Sequence, residues 1–358
     1  MQIFNPKAFD ATLQPMWFGE PVNVVRFDKA KYKIFLDLTE KQLSFFWRPT
    51  EVDLSMDAQQ FRKLPENEQH IFTSNLLYQS LLDSVQGRSP GMIFKAATSL
   101  PEIESFTTAW EFFEANIHAN SYTHIIRNIY PDPSSVLDSI MLTPEIMERA
   151  EAVTQHLEIA AEWIHDANVS DYGKMRRLYL ALIATNVLEG LRFYVSFACS
   201  FAFAERKQME GNAKIIKLIA RDEAIHLSAT QHMINILKSG REGDGWVQIT
   251  EDCEDNAYQI FQDAIEQEKA WAKYLFNKGS MIGLNTEILC QYVDFIAAQR
   301  MKAIGLKPFV EVDHNPLPWM NSWLNSSNLQ VAPQETEIET YLVGQVDASI
   351  DLSEFEEV

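Results

Sequence analysis

A long apolar run between Leu178 and Phe203 constrains the fold more than any other part of this sequence. Apolar residues would occupy almost every face of the helix that this run forms, so the helix must be buried on all sides. The run also contains Asn186, Glu189 and Arg192, polar residues that are costly inside a lipid bilayer. We therefore interpret it as the central helix of a large helical domain and not as a membrane span.

The rest of the chain also follows a helical pattern, in which apolar residues recur at intervals of three and four. No segment alternates apolar and polar residues as a half-buried strand would, and SMDAQQFRKLPENEQ (55–69) is typical of capping and turn sequence. The pattern predicts an all-α protein. We expect helices at about 32–46, 66–86, 101–129, 144–168, 172–207, 212–239, 250–277 and 285–304.

Four of these helices each place one carboxylate among apolar residues, and two of the four also carry a histidine. An ionised carboxylate in such a place is costly unless it is paired or binds a metal. Four carboxylates and two imidazoles are the set that binds two bridged transition metals in a helix bundle, and oxygen-rich ligation favours iron or manganese over zinc or copper. The candidate ligands are Asp83, Glu114, His118, Glu189, Glu223 and His226. The alternative is a buried ion-pair network with Arg192 and Arg221, which would leave more acid than base.

The acid and the imidazole are spaced differently in the two histidine-bearing helices. The second pair has the usual three-residue spacing, whereas Glu114 precedes His118 by four residues in EFFEANIHAN. Both spacings keep the two side chains on one helix face, but one extra residue rotates one end of the helix by about 100° relative to the other. We therefore expect a single wide π turn between about residues 110 and 118, with Glu114 still a ligand and Glu111 as the reserve candidate.

Tyr122 follows His118 by four residues, so it lies on the same helix face and within reach of the proposed metals. A tyrosine in such a helix is more often a core aromatic than a redox group. Phe193, Phe197 and Ile219 precede or follow the candidate ligands at helical spacing and would surround the phenol with apolar side chains. Such a pocket suits an oxidised tyrosine that must be protected from solvent.

Composition excludes several classes of function. The net charge of −20 argues against direct nucleic-acid binding and against anionic membrane surfaces, because phosphates would be repelled. The three cysteines, at 199, 253 and 290, match neither a disulfide framework nor a Cys-x-x-Cys zinc site. The N-terminus lacks the layout of a signal peptide. We expect a cytoplasmic protein with no membrane association.

The chain divides by composition into an N-terminal arm (1–30), a dimetal helical domain (31–320) and a flexible acidic tail (321–358). From Glu335 onward the tail holds eight Asp or Glu residues and no Lys or Arg, which predicts disorder in the free protein. It also contains isolated apolar residues, as expected of a segment that docks on a partner. On composition alone, a solvated end and a docking segment are equally supported.

Several long motifs resemble the small, radical-generating beta subunit of class I ribonucleotide reductase. The likeness covers nearly the whole chain, although 131–177 is divergent. The motifs are EKQLSFFWRP (40–49), LLDSVQGRSP (81–90), SYTHIIRNI (121–129), RFYVSFACSFAFAER (192–206), MEGNAKIIKLIARDEAIHL (209–227), KGSMIGLN (278–285) and, in the tail, QVAPQETE and YLVGQ.

This resemblance implies a homodimeric, ferritin-like helical bundle with a dinuclear iron centre that reacts with dioxygen and oxidises Tyr122 to a stable radical. Manganese is the alternative metal, because both metals use the same ligands. The six candidate ligands occupy the family's ligand positions. Trp47 and Asp222 match the residues that link the centre to the radical-transfer path, and Tyr341 and Glu335 match the radical- and proton-handling residues of the tail. The tail would dock on the large (alpha) subunit, which supplies the ribonucleotide site.

Two other functions use the same bundle: a ferritin-like iron-binding or storage protein, and a diiron oxidase of a small organic substrate. Storage needs neither the Trp47–Asp222 pair nor a docking segment that carries Tyr341. An oxidase needs a substrate channel at the metals, where this sequence has Phe193, Phe197 and Ile219. The reductase function therefore explains more of the sequence than either alternative does.

Overall fold

The structure, a computed structural model, describes residues 5–325. Within these residues the regular secondary structure is helical, and pairing of extended backbone is limited to two isolated β-bridges, Trp17 with Thr98 and Met281 with Leu284. The α-helices are α1 (Lys33–Ser44), α2 (Ser55–Phe61), α3 (Glu66–Gln86), α4 (Pro101–Phe112), α5 (Ala119–Ile129), α6 (Pro133–Asp138), α7 (Pro144–His165), α8 (Asp171–Val187), α9 (Phe193–Ala204), α10 (Glu210–Lys238), α11 (Asp244–Asp252), α12 (Glu254–Leu275), α13 (Thr286–Ala303) and α14 (Met320–Leu324).

Local sequence explains where the principal helices begin. Helix α3 follows Pro65 and has two acidic residues in its first turn, and α4 opens with Pro101 followed by two more. Proline at the first helical position costs no hydrogen bond, and acidic side chains there interact favourably with the helix dipole. Asn285 caps α13 by accepting a hydrogen bond from the Ile288 backbone N–H. Helix α2 forms within the 55–69 stretch, for which the pattern predicted only capping and turn sequence, and α6 lies outside the predicted helical ranges.

Four helical segments pack together as the centre of the bundle. They are α3, the continuous α4–α5 segment (101–129), the continuous α8–α9 segment (171–204) and α10. Helix α10 packs along α8 and α9, while α3 packs against α9 and α5. Asp171–Ala204 is long and apolar enough to cross a membrane, but all of its most apolar 18-residue stretch is buried inside the protein, as in a core helix.

Both continuous segments are interrupted by a π turn in which the helix widens without breaking. We call Phe113–His118 the Glu114 turn and Leu188–Arg192 the Glu189 turn, after the carboxylate that each carries. The Glu114 turn is the wide turn expected from the four-residue spacing. A third π turn, Gly91–Lys95, follows α3.

Candidate metal centre

Six buried side chains from the four central segments meet between the helices. Their oxygen and nitrogen atoms form two overlapping groups, and within each group the candidate ligand atoms all lie within 4.8 Å of one another. All six side chains are fully buried. The first group is Asp83, Glu114, His118 and Glu223, and the second is Glu114, Glu189, Glu223 and His226. These are the six residues that the sequence analysis selected, and Glu114 and Glu223 belong to both groups.

The two shared carboxylates lie between the two imidazoles. The Nδ1 atom of His118 is 3.0 Å from Glu114 Oε2 and 3.2 Å from Glu223 Oε1. The Nδ1 atom of His226 is 2.9 Å from Glu114 Oε1 and 3.2 Å from Glu223 Oε2. Each shared carboxylate therefore presents one oxygen to each histidine.

The outer nitrogen of each imidazole contacts a hydrogen-bond acceptor. His118 Nε2 is 3.1 Å from Asp222 Oδ2, and His226 Nε2 is 3.0 Å from Gln42 Oε1. A proton on Nε2 satisfies each acceptor, and when Nδ1 is deprotonated its lone pair faces the cluster. This is the usual way in which a protein orients a histidine toward a metal.

Burial and mutual repulsion disturb the acidic groups strongly. Burial and the charge of Glu114 raise the pKa of Asp83 well above its ordinary value, and burial with Glu223 does the same for Glu189. Burial and Glu114 raise the pKa of Glu223 to about 8. For Glu114 burial acts in the same direction, but the two histidines outweigh it and lower its pKa. The cluster therefore retains protons that a cation would replace.

Unpaired oxygen atoms show that the cluster fits a pair of metal ions. Both oxygens of Asp83 and Oε2 of Glu189 are buried without a hydrogen-bond donor in bonding geometry. Leaving such groups unpaired in the interior is costly. Among the described residues, Arg192 pairs with Glu268 and not with the cluster, while Arg221 donates to the Phe45 carbonyl and its Nε lies 3.8 Å from Oδ1 of Asp222. The buried carboxylate and histidine cluster fits a dinuclear metal site.

The Glu114 turn decides which acid of EFFEANIHAN faces the cluster. The side chain of Glu114 is inside the cluster, whereas Glu111 is partly exposed and its carboxylate lies beside Gly91. Downstream of the turn, α5 packs into the core, and only 1% of the Tyr122 surface is exposed.

Tyr122 is buried next to the cluster, with 1% of its surface exposed. Burial and the Asp83 carboxylate raise the pKa of its phenol, although its hydroxyl has no hydrogen-bond partner in bonding geometry. Phe193, Phe197 and Ile219 are fully buried in the same core. The phenol is therefore kept neutral and away from solvent.

A chain of hydrogen bonds leads out of the cluster through Asp222. Its Oδ2 atom accepts a 2.9 Å hydrogen bond from the indole Nε1 of Trp47 and lies 3.1 Å from His118. Both Trp47 and Asp222 are buried. The two tail residues of the predicted path, Glu335 and Tyr341, lie outside the described residues.

Three side chains beside the cluster were missed by the sequence analysis. Trp110 donates from Nε1 to Glu114 Oε1 at 3.0 Å, and its ring stacks on the His226 imidazole with centroids 5.0 Å apart. Gln86 donates to Glu189 Oε1 at 2.7 Å, and Gln42 faces His226 as described above. Trp110 precedes Glu114 by four residues, so the spacing rule that selected Tyr122 also selects it.

Comparisons with known proteins agree with this geometry. The family model "Ribonucleotide reductase, small chain" matches residues 24–316. The chain is 52% identical to ribonucleoside-diphosphate reductase 1 subunit beta of Escherichia coli O157:H7, covering 97% of this chain and 96% of that protein. It is 44% identical to the beta subunit of Enterobacteria phage T4, covering 98% and 96%. The ribonucleotide reductase R2 subunit of Clostridium botulinum superposes with a TM-score of 0.80 at 27% identity, covering 90% of this chain and 98% of that one. The chain belongs to the ribonucleotide reductase small-chain family, whose all-α, ferritin-like bundle it shares.

Proposed function

We propose that this chain, as the beta subunit of a ribonucleoside-diphosphate reductase, binds two metal ions and uses them with dioxygen to oxidise Tyr122 to a radical. The residues that would hold them are Asp83, Glu114, His118, Glu189, Glu223 and His226, of which Glu114 and Glu223 belong to both ligand groups. The observation that carries the proposal is the overlap of two ligand groups through these two carboxylates, next to a buried phenol.

We propose iron as the metal, with manganese as the alternative. Each ligand group offers three carboxylates and one imidazole, an oxygen-rich set that suits either metal. When bound, the reduced metal pair would supply electrons to dioxygen, which is the oxidant for Tyr122. The protein orients both imidazoles, holds the carboxylates in register and keeps bulk water from Tyr122.

The oxidising equivalent then leaves through the hydrogen-bonded chain His118, Asp222 and Trp47. The two short contacts of Asp222 support this route, because they join the cluster to an aromatic side chain at the end of α1. The acidic tail continues the path through Tyr341, with Glu335 as the proton-handling neighbour, and docks on the alpha subunit. That subunit carries the ribonucleotide site and reduces the substrate.

Two copies of the chain form a homodimer in this proposal. An apolar patch supports a partner at the end of α1 and α4, where the exposed rings of Phe46 and Phe112 stack with centroids 6.5 Å apart. Leu43, one turn before Phe46, is also exposed. We further propose cytoplasmic location and the division into an arm (1–30), a dimetal domain (31–320) and a docking tail (321–358).

The test is radical formation in the purified, metal-free protein. Adding ferrous iron and dioxygen should produce a tyrosyl-radical signal in electron paramagnetic resonance that is absent in Tyr122→Phe. Tyr292→Phe is the matched control, because Tyr292 is equally buried, its hydroxyl also lacks a hydrogen-bond partner, and it belongs to neither ligand group. The proposal is wrong if Tyr122→Phe keeps the signal, or if no metal supply supports ribonucleotide reduction with the cognate alpha subunit. Metal analysis of protein purified from its native host, coupled to activity, decides between iron and manganese.

A further inference from the structure

The Glu189 turn is tied to two neighbouring helices by arginine side chains. The Gly190 carbonyl accepts a 3.1 Å hydrogen bond from Nε of Arg300 on α13. At the end of the turn, Arg192 donates to Glu268 on α12 at 3.0 Å and to the adjacent Gln267 at 2.6 Å. A π turn shifts backbone carbonyls out of the regular helical ladder, so a buried carbonyl there needs a donor from elsewhere. Arg300 is such a donor.

Glu268 is a rigid acceptor because other helices also hold it. This fully buried carboxylate accepts a 2.8 Å hydrogen bond from the Tyr78 hydroxyl on α3. Arg149 on α7 binds both of its oxygens at 3.0 Å, and the guanidinium of Arg149 stacks 3.4 Å from the centre of the Tyr78 ring. The acceptor of Arg192 is thus fixed by α3 and α7 independently of the turn.

The turn is also pressed against the helix that carries His226. A Cβ atom at Gly190 would lie 2.7 Å from Leu227 Cδ1 and 3.0 Å from Arg300 Cδ. Leu227 directly follows His226, and Glu189 Oε2 is 3.9 Å from His226 Nδ1. With this little free space, rotating the turn would move the Glu189 carboxylate relative to His226.

We propose that Arg192 and Arg300, with Glu268 as acceptor, are positioning residues that set where the Glu189 carboxylate lies in the metal centre. The inference rests on the proposed function, since it takes Glu189 as a metal ligand. Glu189 belongs only to the ligand group of His226. Loosening the turn should therefore weaken one of the two metal positions and leave the other unchanged.

The test compares Arg192→Lys with Arg149→Lys. Each variant keeps the positive charge but loses the guanidinium fork that donates several hydrogen bonds. Both arginines bind the same acceptor, but only Arg192 lies on the turn. The measurements are Co(II) titration of metal-free protein by its visible absorption, and hydrogen exchange of peptides that cover residues 188–193 in metal-free protein.

For Arg192→Lys we expect one of two Co(II) equivalents to bind about 10- to 100-fold more weakly, the effect usual for residues that orient metal ligands. We also expect faster exchange across the turn. Arg149→Lys should lower the melting temperature without either change, because Tyr78 and Arg192 still hold Glu268 in this variant. Arg300→Lys, which removes the donor to Gly190, should repeat the Arg192→Lys pattern and gives the answer if Arg192→Lys does not fold.

The inference fails if the Arg192 and Arg300 variants keep both Co(II) affinities and the exchange rate of the wild type. It also fails if Arg149→Lys causes the same selective loss, because the network would then be structural only. Failure of the wild type to bind two Co(II) ions would contradict the proposed function instead. In that case the exchange rates of the variants still decide whether the arginines hold the turn.

Discussion

Deleting Asn116 removes one residue from the Glu114 turn and returns Glu114 and His118 to three-residue spacing. Asn116 is exposed, and its side chain makes one 3.2 Å hydrogen bond, to the Phe112 carbonyl. A hydrogen bond of this kind contributes roughly 0.5–1.5 kcal/mol. Straightening the π turn keeps α4 and α5 in their present packing, so the free energy of unfolding should change by only about 1 kcal/mol.

Deleting Thr108 is the matched control, since this residue is also exposed but lies in the regular part of α4. If the π turn straightens to compensate for this deletion, α5 keeps its position. Residues 109–113, which lie between the deletion and the turn, must then rotate by about 100° about the helix axis. That rotation moves Trp110 and Phe113, both fully buried, out of the core. Loss of each large aromatic contact costs about 3–5 kcal/mol, together roughly 6–10 kcal/mol. Such a loss approaches the whole stability of a typical domain, about 5–15 kcal/mol.

Denaturant unfolding of the two metal-free deletion variants, followed by circular dichroism, measures the difference. The Asn116 deletion should unfold near the wild-type midpoint and still bind two Co(II) ions, while the Thr108 deletion should be largely unfolded without denaturant. Equal destabilisation by both deletions would show that the turn does not absorb the extra residue, and would refute the reasoning.

Three further outcomes are expected. Because burial and neighbouring carboxylates raise the pKa of Glu189, and that of Glu223 from 4.5 to about 8, the folded metal-free protein holds more protons than the unfolded chain. The free energy of unfolding should therefore fall as pH rises from about 4.5 to about 8, so the metal-free protein should melt at a lower temperature at about pH 8.5 than at about pH 6. Bound metal should weaken this pH dependence. Gly190→Ala should cost about 1–3 kcal/mol in thermal unfolding through overpacking, whereas Gly245→Ala, whose nearest neighbouring atom is 3.8 Å away, should cost nothing measurable. Trp47→Phe should keep the metals and the radical signal but abolish turnover with the alpha subunit, and unchanged turnover would contradict the proposed route.

Local sequence was enough to predict most of the helices. The pattern for 66–86 agrees with α3 because Pro65 precedes it and a glycine follows it, and both act within one turn of the helix. The predicted helix 250–277 instead begins at Glu254, with α11 as a separate helix before it. The Glu189 turn was not predicted, because 178–203 is apolar on almost every face, and in such a run a wide turn does not change the pattern of apolar residues.

The residues of the site likewise divide into those that local sequence predicts and those that only the fold identifies. Acids and histidines at helical spacing can be identified from the sequence, because a charged side chain among apolar residues is costly unless it is paired or binds a metal. Gln42 and Gln86 are ordinary amides in helices, and their partners are 184 and 103 residues away, so only the packing of the bundle identifies them. Arg192 was considered as a partner of the cluster, whereas the fold directs it to Glu268.

The Glu114 turn has a consequence for how metal-binding helices are recognised in other sequences. A search that demands two residues between the acid and the imidazole, as in Glu-x-x-His, would pass over Glu114 and His118, although their side chains meet at 3.0 Å. An insertion in a buried helix ordinarily rotates every residue beyond it and changes their contacts. Here a single π turn accommodates the extra residue. Ligands in such helices are better sought by the direction they face than by a fixed count, and one extra residue is no sign of a lost site.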